Sequence, residues 1–343
     1  MTPVNPSSIC ILRLSALGDV THVLPMISAL RQRYPDVALT WVCGKLEYRL
    51  LQHIEGIRFI VFDKKRGLKG YLALRRALAG ERFDVLLHMQ VAARANIASL
   101  CIRARHRIGW DRANSRDLHH LFIDQEIASV AQRHQVDAFL AFAAALGAET
   151  DEPVWALPVL PESVQWVDER IDADARVLLI SPCSSHVLRN WSVEGYAAVA
   201  DHAAAEGYQV VLCGGPSELE TSTADAIAER MTATPLNLVG QDTLQQLIAL
   251  LQRADVVITP DSGPAHIANA VGTDVIGLHA CTNPQRSGPY GSLHLCVDRF
   301  PEAVEKFSDV PRERMRWNSK IEKPGVMDLI TIDEVIARID SLG

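Results

Sequence analysis

No stretch of this chain reaches the ~18 consecutive apolar residues that a membrane-spanning helix needs. The N-terminus, Met1 to Ser8, lacks the basic start and long apolar core of a secretory leader. The expectation is a cytoplasmic protein, with contact at a membrane surface left open. No C-x-x-C pair occurs, and the seven cysteines are an odd number, so neither a disulfide framework nor a zinc knuckle is indicated. Cys10 and Cys213 sit inside apolar runs and read as buried thiols of a reducing compartment. The first strand–turn–helix holds a single glycine, Gly18, and lacks both the G-x-G-x-x-G fingerprint and the P-loop lysine. Excess positive charge is lacking overall: the net charge of −7 argues against a nucleic-acid partner. The one D-x-D, Asp172-Ala-Asp174, precedes a strand and reads as surface sequence, so no metal site is expected.

What is present is alternation. The 343 residues, 48% of them hydrophobic, suit two α/β domains of ordinary size. Short apolar runs read as parallel strands from Ile9 and at Leu39–Val42, Phe59–Phe62 and Val85–Leu87, with helical stretches between, one from about Thr21 to Tyr34. An Ala-rich helix is expected over about Ile127–Leu146. The stretch from Gly147 to Pro161 holds Pro153, Pro158 and Pro161 and little periodicity, which marks a domain boundary. The alternation then restarts with strands from Val177, Val210, Val256 and Val275. The domains are expected at 1–160 and 161–325, with a terminal helix in 326–343. Two such halves facing one another would enclose a cleft, the usual place for a ligand.

Several turns at strand ends carry chemistry. Asp261-Ser-Gly-Pro-Ala-His leads from an apolar strand into a helix closed by Gly272, and a helix start of this kind favours anions. It is equally an ordinary strand–helix joint. Ser184 and Ser185, a few residues before Arg189, combine hydroxyls with a permanent cation, as a diphosphate clamp would; a polar capped loop has the same composition. Asp19 leaves the first strand at the end where α/β ligands sit, and it also suits a helix cap. Basic clusters at Lys64-Lys-Arg-Gly-Leu-Lys, at Arg103 to Arg116 and at Arg312 to Lys323 are solvated faces or anion sites, the last a candidate membrane-facing surface.

Taken together these residues resemble a known family. Ile11-Leu-Arg-Leu-Ser-Ala-Leu-Gly-Asp-Val-Thr-His-Val-Leu-Pro is similar to the opening signature of the lipopolysaccharide heptosyltransferases, glycosyltransferase family nine, with heptosyltransferase I the nearest type. Asp261-Ser-Gly-Pro-Ala-His with Asn283-Pro-Gln-Arg-Ser-Gly-Pro resembles the second signature, and Ser184-Ser185 with Arg189-Asn-Trp resembles the Thr-Thr…Lys-His-Trp donor segment. The resemblance spans nearly the whole chain in the right order. It implies a GT-B fold, two Rossmann-like domains facing each other across a cleft, the terminal helix packing back toward the first. It implies an inverting transfer of heptose from ADP-heptose to the Kdo–heptose inner core of Gram-negative lipopolysaccharide, with no metal or other cofactor. Another nucleotide sugar, or a non-catalytic nucleotide-sugar binder, are the alternatives.

By that resemblance Asp19 is the catalytic base. Ser184, Ser185, Arg189, Glu218, Asp261, Ser262, Gly263 and His266 hold the donor, Asp261 at the heptose hydroxyls and His266 at the diphosphate. Gly18, Lys64, Gln90, Arg94, Arg116 and His134 hold the acceptor, lipid A–Kdo with or without a phosphate on the Kdo. The segment His88-Met-Gln-Val-Ala-Ala-Arg departs from the family's Asp-x-Gln-Gly-x-x-Lys-Ser at His88, Val91 and Ala95, and these departures bear on the acceptor. Arginine stands where lysine is usual at 94 and 189, which permits bidentate phosphate contacts. The enzyme would meet its lipid acceptor peripherally, at the cytoplasmic face of the inner membrane.

Overall fold

A computed structural model describes residues 5–311 and 314–342. The chain divides between Pro158 and Val159 into two units. In the first, β1 (Ser8–Leu12), β2 (Ala38–Cys43), β3 (Ile57–Val61), β4 (Phe83–His88), β5 (Ala104–Gly109) and β6 (Gln125–Glu126) form one parallel sheet in the order 3-2-1-4-5-6. In the second, β7 (Arg176–Ile180), β8 (Tyr208–Leu212), β9 (Leu236–Asn237), β10 (Val256–Pro260), β11 (Asp274–His279) and β12 (Val297–Asp298) run 12-11-10-7-8-9. Counting strands from one in each unit, the two orders are the same, the doubly wound Rossmann order.

The central strands are buried on both faces, which is why they read as continuous apolar runs: Ile9 to Leu12, Val177 to Ile180 and Val256 to Ile258 are all at or near zero exposure. Cys10, Cys43, Cys183, Cys213, Cys281 and Cys296 are buried free thiols, and burial pushes Cys43 and Cys296 up to about 12. Local chemistry sets the helix limits. Thr243 and Thr331 close capping boxes at Leu244–Arg253 and Ile332–Asp340. The single helix expected from Thr21 is two, Leu17–Thr21 and Leu24–Arg33, with Pro25 opening the second. The Ala-rich helix covers only Gln135–Ala144, because Gln132 takes a left-handed φ of 54° and His134 caps the start through Nδ1, which accepts from the Val136 N–H at 3.1 Å.

The terminal helix Ile332–Asp340 buries Val335 and Ile339 in the core of the second unit, beside Val199 and Ala203 of the helix Val193–Ala205. Ile332 and Ile336 pack against the same core. The basic run from Arg103 includes β5, which charge clustering alone had disguised. There Arg107 is half-buried and donates to the carbonyls of Ser99, Ile102 and Phe122, so it is a fold-holding cation.

Beneath the first sheet's carboxyl edge lies a neutral polar network. Asn96 Oδ1 accepts from His88 Nε2 at 2.9 Å and His119 Nδ1 at 3.0 Å, while its amide donates to the Asp117 carbonyl at 2.8 Å. The Trp110 N–H donates to His119 Nε2, so His119 donates through Nδ1 and its bonds assign it a neutral tautomer. Burial holds His88 well below the usual histidine range and lowers His119 to about 4. An unfolded histidine titrates near ~6.5. The unfolded chain therefore takes up protons between about pH 6.5 and pH 4 that the folded chain refuses, and stability falls as pH falls through that window. The raised Glu47 carboxyl acts in the opposite sense. Replacing His119→Gln should reduce the wild-type loss of stability between these pH values by roughly 1–3 kcal/mol, read as a difference of urea midpoints; an unchanged pH slope would contradict the assignment.

Candidate active site

In each unit the chain leaves two adjacent central strands, β1 and β4 or β7 and β10, toward opposite sides. Doubly wound sheets place ligands at the carboxyl ends of such strands. In the first unit β1 runs out through Arg13 to Asp19 and β4 through Met89 and Gln90. Arg13 donates to the Met89 carbonyl at 2.8 Å, meets Asp19 Oδ2 at 2.6 Å, and lies 5.1 Å from the Phe139 ring centre. The Ala16 N–H donates to the same Asp19 oxygen at 3.1 Å. The N-cap of the short helix Leu17–Thr21 is Ala16; Asp19 is its third residue, accepts from the N-cap N–H, and stays one-third exposed.

Gln90 spends its amide on the same loop: Oε1 accepts from the Leu14 N–H at 2.7 Å, and Nε2 donates to Ser15 Oγ at 3.1 Å. It fixes the backbone that carries Asp19. Gly18 is buried within the short helix. His134 is buried, its ring 5.8 Å from that of His22, just beyond that helix.

A cleft of about 400 Å³ opens beside this loop at the ends of β1, β2 and β3. Lys64 and Arg94 both line it, with Lys45, Arg49 and Lys65. Arg116 is exposed and lies outside that lining. Glu47, which sequence reasoning passed over, is buried in the cleft wall. Desolvation raises its carboxyl and the Asp19 charge adds to the rise, against the lowering fields of Lys64 and Arg13. Gly44 is required here because a Cβ would stand 2.5 Å from the Leu14 carbonyl oxygen and collide with Glu47 Oε2. The departure at His88 has a structural reason: the side chain is fully buried against Asn96 and His119.

In the second unit β7 runs into Ser184, Ser185 and Arg189, and β10 into Asp261, Ser262, Gly263 and His266, so all of the expected donor residues except Glu218 gather at one pair of strand ends. Arg189 is the centre. Its Nη1 meets Asp261 Oδ2 at 3.2 Å, and Nε and Nη2 both donate to Glu322 Oε1, at 2.8 and 2.6 Å. His266 Nε2 lies 3.6 Å from Asp261 Oδ1. Burial alone would raise the Asp261 carboxyl; the His266 hydrogen bond and the fields of His279, His266 and Arg189 outweigh it and hold the group far below the usual range. Burial lowers His279 to about 4 against the attraction of Asp261.

The remaining donor residues are placed as follows. Ser184 turns its hydroxyl to the His186 backbone, accepting from its N–H at 3.1 Å and donating to its carbonyl at 2.9 Å, while Ser185 is exposed. Ser262 stands at the N-cap of Gly263–Ala270, yet its hydroxyl bonds Thr259 at 2.8 Å and makes no cap bond. The first-turn amides are thus left without a side-chain cap, as an anion site requires. Glu218 is exposed at the start of Glu218–Arg230; two residues on, Glu220 accepts from the Gly215 N–H at 2.8 Å.

Glu322 and Lys320 were invisible to local motifs. Lys320 is held below the usual lysine range by partial desolvation and by the Arg189 charge. The pairing of Glu322 with a residue 133 positions away has no local signature. Among the described residues no group of three or more histidine, cysteine, aspartate or glutamate side chains is arranged to hold a metal ion, and no helix is long and apolar enough to cross a membrane.

The chain is similar to curated proteins along its length. It is 40% identical to the lipopolysaccharide core heptosyltransferase OpsX of Haemophilus influenzae over 98% of this chain and 97% of that protein. It is 26% identical to lipopolysaccharide heptosyltransferase 3 of Escherichia coli K12 over 95% of each. Among solved structures, a glycosyl transferase family 9 protein of Veillonella parvula matches at 21% identity with a TM-score of 0.81 over 99% of both chains. The E. coli heptosyltransferase WaaC with ADP matches at 17% identity with a TM-score of 0.76 over 98% of this chain and 100% of that one. These likenesses agree with the GT-B fold class, each unit a Rossmann-like parallel sheet. The family model glycosyltransferase family 9 (heptosyltransferase) matches residues 71–313, and this chain belongs to that family.

Proposed function

We propose that this protein is an inverting heptosyltransferase that moves heptose from ADP-heptose to the Kdo–heptose inner core of lipopolysaccharide. The observation that carries the reading is Asp19, partly exposed at the end of β1 and oriented by Arg13 and the Ala16 N–H. The H. influenzae relative is named for lipopolysaccharide core heptose transfer, and WaaC was solved with ADP. In the reaction the acceptor hydroxyl oxygen attacks the anomeric carbon. The bond from that carbon to the diphosphate oxygen breaks, ADP leaves with the electron pair, the anomeric configuration inverts, and the hydroxyl proton passes to Asp19.

The second unit holds the donor. Arg189, the amides at Ser262–Gly263, Ser184, Ser185 and His266 meet the diphosphate, and Asp261 meets heptose hydroxyls. Charge on the leaving group is met by the chain's own cations, so the transfer needs no divalent metal. In the first unit Lys64 and Arg94, in a cleft also lined by Lys45, Arg49 and Lys65, suit a phosphorylated Kdo. The acceptor being a lipid, the protein works peripherally at the cytoplasmic face of the inner membrane.

Asp19→Asn should lower kcat by about 10²–10⁴-fold while ADP affinity, by calorimetry, stays near wild type; retained turnover would remove Asp19 as the base. Replacing Arg94 and Arg116 by alanine should raise the acceptor KM roughly tenfold or more and leave the donor KM nearly unchanged; equal effects on both would count against the acceptor assignment. Transfer assayed in EDTA should proceed at the untreated rate, and recovery only on adding magnesium would refute metal independence.

A further inference from the structure

Two helices of the first unit, Leu68–Ala77 and Ala93–Ser99, bury one face each in the same core: Leu74 and Leu78 from one, Ala95 and Ala98 from the other. The Tyr71 hydroxyl donates to the Arg94 carbonyl at 3.4 Å, so the helices are neighbours. Their opposite faces therefore look outward on one side of the sheet. Those faces carry aliphatic side chains: Leu68 is 81% exposed, Leu72 53%, Ile97 49% and Leu100 67%. The adjoining turn His119–Phe122 adds Leu121, 66% exposed. Single exposed leucines are common and need no explanation. Five on adjoining elements make a patch of the kind that marks an interaction surface.

Charge identifies the occupant. Residues 61–116 hold thirteen lysines and arginines against four aspartates and glutamates, an excess of nine positive charges in a chain whose net charge is −7. Arg107 is committed to backbone carbonyls, while Arg105, 65% exposed, pairs with Asp84 at 3.3 Å. Lys69 and Arg76 lie beside the Leu68–Leu72 stripe at helical spacing. A second copy docked through the same face would bring this excess against itself. An anionic bilayer complements both features, taking leucines at the headgroup boundary and cations among its phosphates. The other basic segment, from Arg312 to Lys323, fits less well. Arg312 lies outside the described residues, and Lys323 is turned to the Phe307 carbonyl at 2.6 Å.

We propose that this leucine-and-cation face of the first unit docks on an anionic phospholipid surface. The proposal deepens the reading that the acceptor is lipid-borne. The test is flotation of the full chain with vesicles of phosphatidylcholine, with and without phosphatidylglycerol, at low and high salt. Binding is expected only to the anionic vesicles and should weaken severalfold at high salt. Leu68→Ser with Leu72→Ser, and separately Lys69→Glu with Arg76→Glu, should each lower the bound fraction about fivefold or more. Both should leave transfer to a deacylated, water-soluble acceptor unchanged.

If the wild type ignores anionic vesicles, or both variants bind as it does, the proposal is overturned. It is also overturned if the variants instead abolish self-association in sedimentation velocity without altering flotation. Should the leucine variant melt early, the charge variant, which leaves the apolar residues in place, still decides. Absence of wild-type transfer to the soluble acceptor would sink the functional reading alone, because flotation is read independently of turnover.

Discussion

Parallel strands that carry their following chains to opposite sides of a sheet leave a gap at their carboxyl ends. The chemically loaded residues of this protein collect at two such gaps. Neither β1 nor β7 can be extended without closing its gap, so the residues that follow must turn, and they turn with backbone groups that need partners. Gln90 satisfies the Leu14 N–H and Asn190 the Ser184 N–H. These bonds hold Asp19 and the Ser184 segment in place, and the rest of each sheet is the rigid support behind them.

The two gaps handle charge differently. At the first, a partly exposed aspartate leans on one arginine, and the cleft beside its loop is rich in cations and keeps a second carboxylate, Glu47, in its wall at a desolvation cost. At the second, Arg189 sits between two carboxylates and beside Lys320, and the His266 hydrogen bond with the fields of His279, His266 and Arg189 lets Asp261 stay ionised while buried. Arg189 is already oriented by Glu322, so a ligand of the kind proposed for this site would not have to pay for that orientation on binding.

The outer face of the first unit follows a third logic. Its helices cover the sheet with Leu74, Leu78, Ala95 and Ala98, and also carry large aliphatic residues, Leu68, Leu72, Ile97 and Leu100, outward. Large aliphatic side chains exposed beside cations are unfavourable in water and sensible against lipid, the docking proposed for this face.

Much of this was legible in the residues. Buried parallel strands announce themselves as apolar runs because both faces are covered, and capping boxes at Thr243 and Thr331 mark helix starts through bonds that span only three residues. The family signatures lie in the turns for the same reason, since a strand end, its loop and the next helix are contiguous in sequence. The short strands β6, β9 and β12, two residues each, carry too little pattern to be seen. The strand β5 was hidden because its arginines read as a charged surface, whereas Arg107 is half-buried and bonded to three carbonyls. Only the tertiary structure decided that Glu322 grips Arg189, that Arg13 orients Asp19, that His88 is buried against Asn96, and that the exposed leucines of two separate helices share one face. Each of these depends on where remote segments meet in space, which local periodicity and spacing do not encode.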